Sequence, residues 1–254
     1  MGYREDGSSH VTGIKNEEQL RKYLKNGAAR ELYPHLSEGL DVIKRGGTTY
    51  KQDLEIIDAD TTILISAKKK ETIDKGSFDW VNSSSAIRDV ASTRAFAEVV
   101  RSVAESRPKY GRAKLTVQSA AYDAICNLTP QELTQLLDKH IKQKNEDMKI
   151  MITESKSGKN WEYSFSDSPL YQAIGSKTPE IVLGRGVDSA QVKFRDSNGN
   201  LVDYGLRVRV VTNNGIGALI GTSTANKRSD PVIKFQQDDI PSLISGLGDK
   251  VRMF

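Results

Sequence analysis

The sequence predicts an α+β fold, a central mixed sheet flanked by helices, and three observations lead there. Helical patterns and one short β-hairpin fill the first part of the chain, and strand patterns dominate after about residue 146. Strands and helices do not alternate regularly, which argues against a doubly wound sheet. Hydrophobic residues make up 37% of the 254 and charged residues 28%, a balance that suits a globular chain able to bury a real core. No clear linker, repeat or low-complexity tract interrupts it. A single domain over 1–254 is therefore expected, with a helical half over 1–145 and a β-rich half over 146–254.

Each element has its own signal. Residues 1–12 are polar and predict a frayed start, followed by a helix from about Asn16 to Asn26 that stops at Gly27. Within that helix Glu17, Leu20 and Leu24 share one stripe, while Glu18, Arg21, Lys22 and Lys25 share another. Glu17 is thus expected to face inward. A second short helix, Ala28 to His35, precedes the lead "RGGTTY". "KQDLEII" alternates, with Asp53 and Glu55 on one face and Leu54 and Ile56 on the other. "DAD" turns the chain. "TTILISAK" then returns with Ser66 and Lys68 on one face and Ile63, Ile65 and Ala67 on the other.

An amphipathic helix is expected from about Ser83 to Arg107, closed by Pro108. Thr129, Pro130 and Glu132 spell a capping box and start a further helix. The strands "MKIMITES", "NWEYSFS", "AQVKFRD", "LVDYGLRVRVV" and "PVIKFQ" complete the chain, with a turn at Asn198–Gly199.

Composition narrows the function classes. No apolar run approaches the roughly 18 residues that cross a bilayer, and "MGYREDGSSH" has no signal-peptide core, so no membrane partner is expected. The one cysteine, Cys126, cannot form an internal disulfide and points to a reducing, cytoplasmic setting. Three histidines, His10, His35 and His140, lack metal-ligand spacing, which argues against zinc. Net charge is +4, and its placement says more than its size. "SAKKKE", "RSVAESRPKYGRAK", "DKHIKQK", "YGLRVRV" and "TANKR" are separate basic clusters that a fold could gather against duplex DNA.

The hairpin carries the chemistry. Hydrolysing a phosphodiester requires neutralised charge on the phosphate and an activated water, which Mg²⁺ held by one or two carboxylates can provide. A lysine beside it positions or helps deprotonate the water. Asp53 and, fifteen positions later, Lys68 supply an acid and a lysine if the two strands pair around "DAD". Where such sites usually carry a second acid, this chain has Ser66. Read alone, the hairpin is better explained as an ordinary amphipathic one, because an acid followed by a lysine in β context recurs in many proteins.

"GIKNEEQLRKYL", "TTYKQDLEI" and "LISAKKK", followed in order by "KGSFDW", "TPQEL", "GIGALIGTSTANKRSD" and "VIKFQQDDIPSLI", resemble the PD-(D/E)xK endonucleases, and most of all the small type II restriction enzymes of the MspI and HinP group. The resemblance is patchy but spans nearly the whole chain. It implies a restriction-endonuclease-like core, double-stranded DNA as partner, Mg²⁺ as cofactor, and a monomer or homodimer on DNA. By position it implies Asp53 as metal-binding aspartate, Lys68 as catalytic lysine, Ser66 in place of the acid, and Glu17 as the helix acid approaching the site. Glu17 is expected to supply the second carboxylate, with Glu55 as substitute. Lys69, Lys70, Lys227 and Arg228 are candidates for DNA contact, the last two within "TNNGIGALIGTSTANKR". Alternatives stay open: a phage or repair nickase of low specificity, a DNA-binding protein whose nuclease site has decayed, or a scaffold with a coincidental hairpin.

Overall fold

The computed structural model describes residues 8–45, 51–74, 77–83, 126–183, 189–212 and 231–254. In chain order the helices are α1 (Ser8–Tyr23), α2 (Ala29–Leu32), α3 (Pro130–Leu137), α4 (Pro169–Ala173) and α5 (Ile240–Leu247). The strands in the first part are β1 (Asp41–Lys44), β2 (Leu54–Asp58), β3 (Thr61–Lys70) and β4 (Phe78–Ser83). Then come β5 (Met148–Glu154), β6 (Asn160–Ser164), β7 (Thr178–Leu183), β8 (Ser189–Arg195), β9 (Leu201–Thr212), β10 (Pro231–Gln237) and β11 (Arg252–Met253). The protein is mixed α+β, with a mixed sheet and flanking helices, as the patterning predicts.

The chain divides into two compact units, each drawn from separated segments. The first comprises Met1–Gly76, Lys144–Tyr171 and Ile240–Phe254; the second comprises Ser77–Gln143 and Gln172–Asp239. The division therefore interleaves the chain, with one of its boundaries between Gln143 and Lys144.

The first unit is built on a six-stranded sheet, β1-β2-β3-β5-β6-β11, in which β3 and β5 run parallel and the other pairs antiparallel. Helical turns continue from α1 to Gly27, whose φ of 126° ends the first helical run as a glycine can, and α2 follows at once. The helix begins earlier than expected, at Ser8 and not Asn16. Leu20, Leu24, Ala29 and Leu32 bury one face against Val42, Leu54, Ile56, Ile65 and Met151, with Ile63 and Ala67 at the margin. Burial of such side chains contributes roughly 1.5–3 kcal/mol each. The apolar alternation of both hairpin strands is thereby spent on the helix-covered face.

The C-terminus closes the far edge of this sheet. Phe254 and Asn160 exchange backbone hydrogen bonds of 3.0 and 3.2 Å, and the Phe254 ring stacks on Tyr23 with centroids 6.1 Å apart. Strand β11 was not legible in the sequence, since two residues carry no period.

The second unit holds an antiparallel five-stranded sheet, β4-β10-β9-β8-β7. Phe194, Val192, Val208, Leu206, Phe235 and Trp80 bury its inner face. The capping box that opens α3 is present in full, with the Thr129 hydroxyl accepting from the Glu132 amide at 3.2 Å and the Glu132 carboxylate accepting from the Thr129 amide at 2.8 Å. The Asn198–Gly199 turn also forms, with Gly199 at φ 83°. Ser83, expected to open a helix, instead ends strand β4, and the remainder of that helix lies outside the described residues.

Gly205 marks a constraint in this sheet. Its φ is 70°, and a Cβ there would lie 2.3 Å from the Asp238 carbonyl oxygen, a backbone atom that cannot move aside. The Asp238 amide already donates to the Gly205 carbonyl at 2.7 Å, so the two backbones are locked together. Gly205→Ala is expected to cost at least about 3 kcal/mol, from a left-handed non-glycine residue plus the overlap. Urea unfolding of the variant checks this, and a loss under about 1 kcal/mol would refute it.

Candidate active site

Strands β2 and β3 are joined by a turn of two residues, Ala59 and Asp60, with Asp58 opposite Thr61. The register runs Ile56 against Ile63 and Leu54 against Ile65, so one further step sets Asp53 against Ser66. Asp53 is bonded on both sides at the head of β2: its amide donates to the Ile65 carbonyl at 2.8 Å, and its carbonyl accepts from the Arg45 amide at 2.9 Å. The carboxylate folds onto β3. Oδ2 accepts the Ala67 amide at 2.8 Å and the Ser66 hydroxyl at 3.3 Å. Oδ1 has no hydrogen-bond or ion-pair partner among the described residues.

Alternation along β3 puts Lys68 on the same face as Ser66, diagonal to Asp53. Such diagonal positions lie roughly 7–8 Å apart, within reach of a lysine. Asp53 and Lys68 are half-buried and Ser66 is 2% exposed. Beside Ser66 and Lys68 in the parallel ladder stand Ile150 and Ile152, both fully buried. The polar cluster thus borders an apolar strand.

The two other predicted acids are engaged elsewhere. Glu17 is half-buried beside the leucine stripe, as its spacing predicts, and its Oε2 pairs with Lys44 Nζ at 2.8 Å. Lys44 lies opposite Leu54 in the register and its Nζ also donates to the Ile14 carbonyl of α1 at 3.4 Å. Glu17 therefore meets the sheet on its helix-covered face, whereas Asp53, Ser66 and Lys68 occupy the other. A second carboxylate from Glu17 gains no support from this geometry. Glu55 does share the face of Asp53, but it is 7% exposed and accepts from Arg45 Nε at 2.9 Å and Gln52 Nε2 at 2.5 Å.

Burial is the largest influence on Glu55 and pushes its pKa up, but the Gln52 and Arg45 donors together outweigh it, leaving the carboxyl below its ordinary value of 4.5. A depressed folded pKa contributes stability that is fully present above the unfolded value and is lost as pH falls through the folded one. The stability difference between the wild-type chain and Glu55→Gln is therefore expected to be constant above about pH 5 and to shrink below it. Urea titrations across that range check the sign; a difference that grows on acidification would contradict it.

Lys69 and Lys70 continue β3 opposite Thr153 and Glu154 of β5, at the end of the strand beyond Lys68. Lys227 and Arg228, with most of the segment that contains them, lie outside the described residues. Among the described residues no three His, Cys, Asp or Glu side chains come together. Among the described residues the donor set is one carboxylate with an open oxygen. It fits Mg²⁺, which takes one or two carboxylates and fills its remaining positions with water and phosphate oxygens, better than it fits an ion that needs an all-protein cage.

Two features were missed in reading the sequence. The first is the Ala67 amide as a donor to Asp53, since no side-chain pattern reports a backbone contact. The second is the face-to-face position of Asp53 and Ser66, which the length of the turn could have revealed: two turn residues leave only one register. No protein-family model, curated protein or solved structure matches the chain, so the reading of the site rests on its own residues.

Proposed function

We propose that the protein is a Mg²⁺-dependent endonuclease that hydrolyses phosphodiester bonds of double-stranded DNA, of the sequence-specific type II restriction kind, on a restriction-endonuclease-like core. The observation that carries this reading is the Asp53 carboxylate, held through Oδ2 with Oδ1 open, on the same sheet face as Lys68. Mg²⁺ bound at Asp53 would neutralise the scissile phosphate and acidify a bound water. Lys68 would orient the attacking water and take its proton, and the ammonium so formed would offset the charge growing on the phosphate. Water would form the new P–O bond as the bond to the 3′ oxygen breaks, and the departing 3′ oxygen would take a proton from solvent water, leaving 5′-phosphate and 3′-hydroxyl ends. The mixed sheet with flanking helices is the architecture that the resemblance implies, and the basic clusters suit a polyanionic partner.

A DNA-binding protein with a decayed site is the second reading. It is favoured by one specific observation, that Glu17 and Glu55 are both committed to cations of the same chain. Incubating the purified chain with supercoiled plasmid, first in Mg²⁺ and then in EDTA, decides between them. Discrete fragments in Mg²⁺ alone are expected, and their ends would give the cut site by runoff sequencing. Nicked circles or a smear point to a low-specificity enzyme on the same fold, and retardation without cutting points to the decayed site.

A further inference from the structure

The position where an acid is usual in such sites is occupied by Ser66, and its surroundings assign it a task. Its hydroxyl is buried, 2% exposed, on a strand whose next neighbour on that side is Ile150. A buried hydroxyl without a partner costs about 1–3 kcal/mol, and the partner Ser66 finds is Oδ2 of Asp53 at 3.3 Å. The Ala67 amide donates to the same oxygen at 2.8 Å. Two donors from adjacent residues on one oxygen fix the carboxylate plane and leave the other oxygen without a partner among the described residues. Had an acid stood at this position, two carboxylates would face each other directly across the β2–β3 pair and repel.

We infer that Ser66 is a positioning residue, which with the Ala67 amide holds Oδ2 of Asp53 so that Oδ1 seats the divalent cation in a site of one carboxylate ligand. The inference rests on the nuclease reading, and it replaces the expectation that Glu17 supplies a second charge. Lys44 holds Glu17 at 2.8 Å on the opposite sheet face, so the site's electrostatic balance differs from that of a two-acid site. Ser66 acts through Asp53.

The test is a titration of the full chain with MnCl₂ without DNA, following the electron-paramagnetic signal of free Mn²⁺, run beside plasmid cleavage in Mg²⁺. The wild-type chain is expected to bind Mn²⁺ and Asp53→Asn to lose that binding. Ser66→Ala is expected to bind about 10–100-fold more weakly, the usual effect of removing a group that orients a metal ligand. Ser66→Thr, which keeps the hydroxyl, is expected to restore the affinity. Glu17→Gln is expected to bind within about twofold of wild type, and as a half-exposed helix substitution it keeps the inference testable if a Ser66 variant fails to fold. Equal affinity in wild type and Ser66→Ala, or a loss in Glu17→Gln matching that of Asp53→Asn, overturns the inference while cleavage still upholds the nuclease reading. A wild-type chain that neither binds Mn²⁺ nor cuts overturns the nuclease reading itself.

Discussion

Lys68→Ala is expected to slow Mg²⁺-dependent plasmid cleavage by about 10²–10⁴-fold, the range for loss of a positioned proton-transfer group. Asp53→Asn is expected to lose at least as much, since it keeps the shape of the side chain but removes the charge that would seat the cation. Both should leave folding largely intact. Asp53 and Lys68 are half-buried at one end of the hairpin, while the apolar residues that hold the sheet, Leu54, Ile56 and Ile65, point to the other face. Binding of duplex DNA in Ca²⁺, measured by gel retardation, is expected to persist in Lys68→Ala, because on the proposed reading phosphate contacts would be spread over many basic side chains. Cleavage by Lys68→Ala within threefold of wild type would remove it from the reaction.

The second large effect concerns stability. Arg252→Ala is expected to destabilise the first unit by about 3 kcal/mol, because it strips the main cation from a buried acid. Glu162 is 1% exposed on β6, and its Oε2 accepts from Arg252 Nε and its guanidinium partner nitrogen, each at 2.8 Å. The guanidinium also donates to the Leu32 carbonyl and lies 5.0 Å from the centre of the Tyr33 ring. After truncation Glu162 keeps the Tyr33 hydroxyl at 3.0 Å and Lys149 at 3.8 Å. These remaining partners place the cost at the lower end of the usual 3–5 kcal/mol. Burial first, then the neighbouring Glu162 charge, pushes the Tyr33 hydroxyl well above its ordinary pKa, so it stays a donor across the working pH range. The loss should appear as a lower urea midpoint in Arg252→Ala, and Arg252→Lys should recover only part of it, since an ammonium cannot hold Glu162 and the Leu32 carbonyl with one planar fork. A midpoint unchanged by Arg252→Ala would show that this C-terminal clamp adds nothing.

How much was legible beforehand varies with the range of the interaction that decides each feature. Local signals were sufficient for the capping box at Thr129, the glycine stop at Gly27, the Asn198–Gly199 turn and the in–out alternation of Leu54, Ile56, Ile63 and Ile65. Each depends on residues within a few positions of one another, where backbone sterics and side-chain period act directly. Glu17 shows where such reasoning stops. Its stripe correctly turns it toward the leucines, yet helical period says nothing about which face of a sheet the helix will cover. That choice depends on Lys44, 27 residues later, and on which side of the sheet buries Leu54.

By itself, then, the sequence determined the α+β class, most strand positions, and the hairpin that carries Asp53, Ser66 and Lys68, because hydrophobic period and turn chemistry are local. Only the tertiary structure decided the parallel pairing of β3 with β5, the closing of the sheet by β11, the retention of Glu162 by Arg252, and the commitment of Glu17 to Lys44. Those are contacts between segments far apart in the chain, set by which apolar faces meet and which buried charges must be paired, and no short-range pattern encodes them.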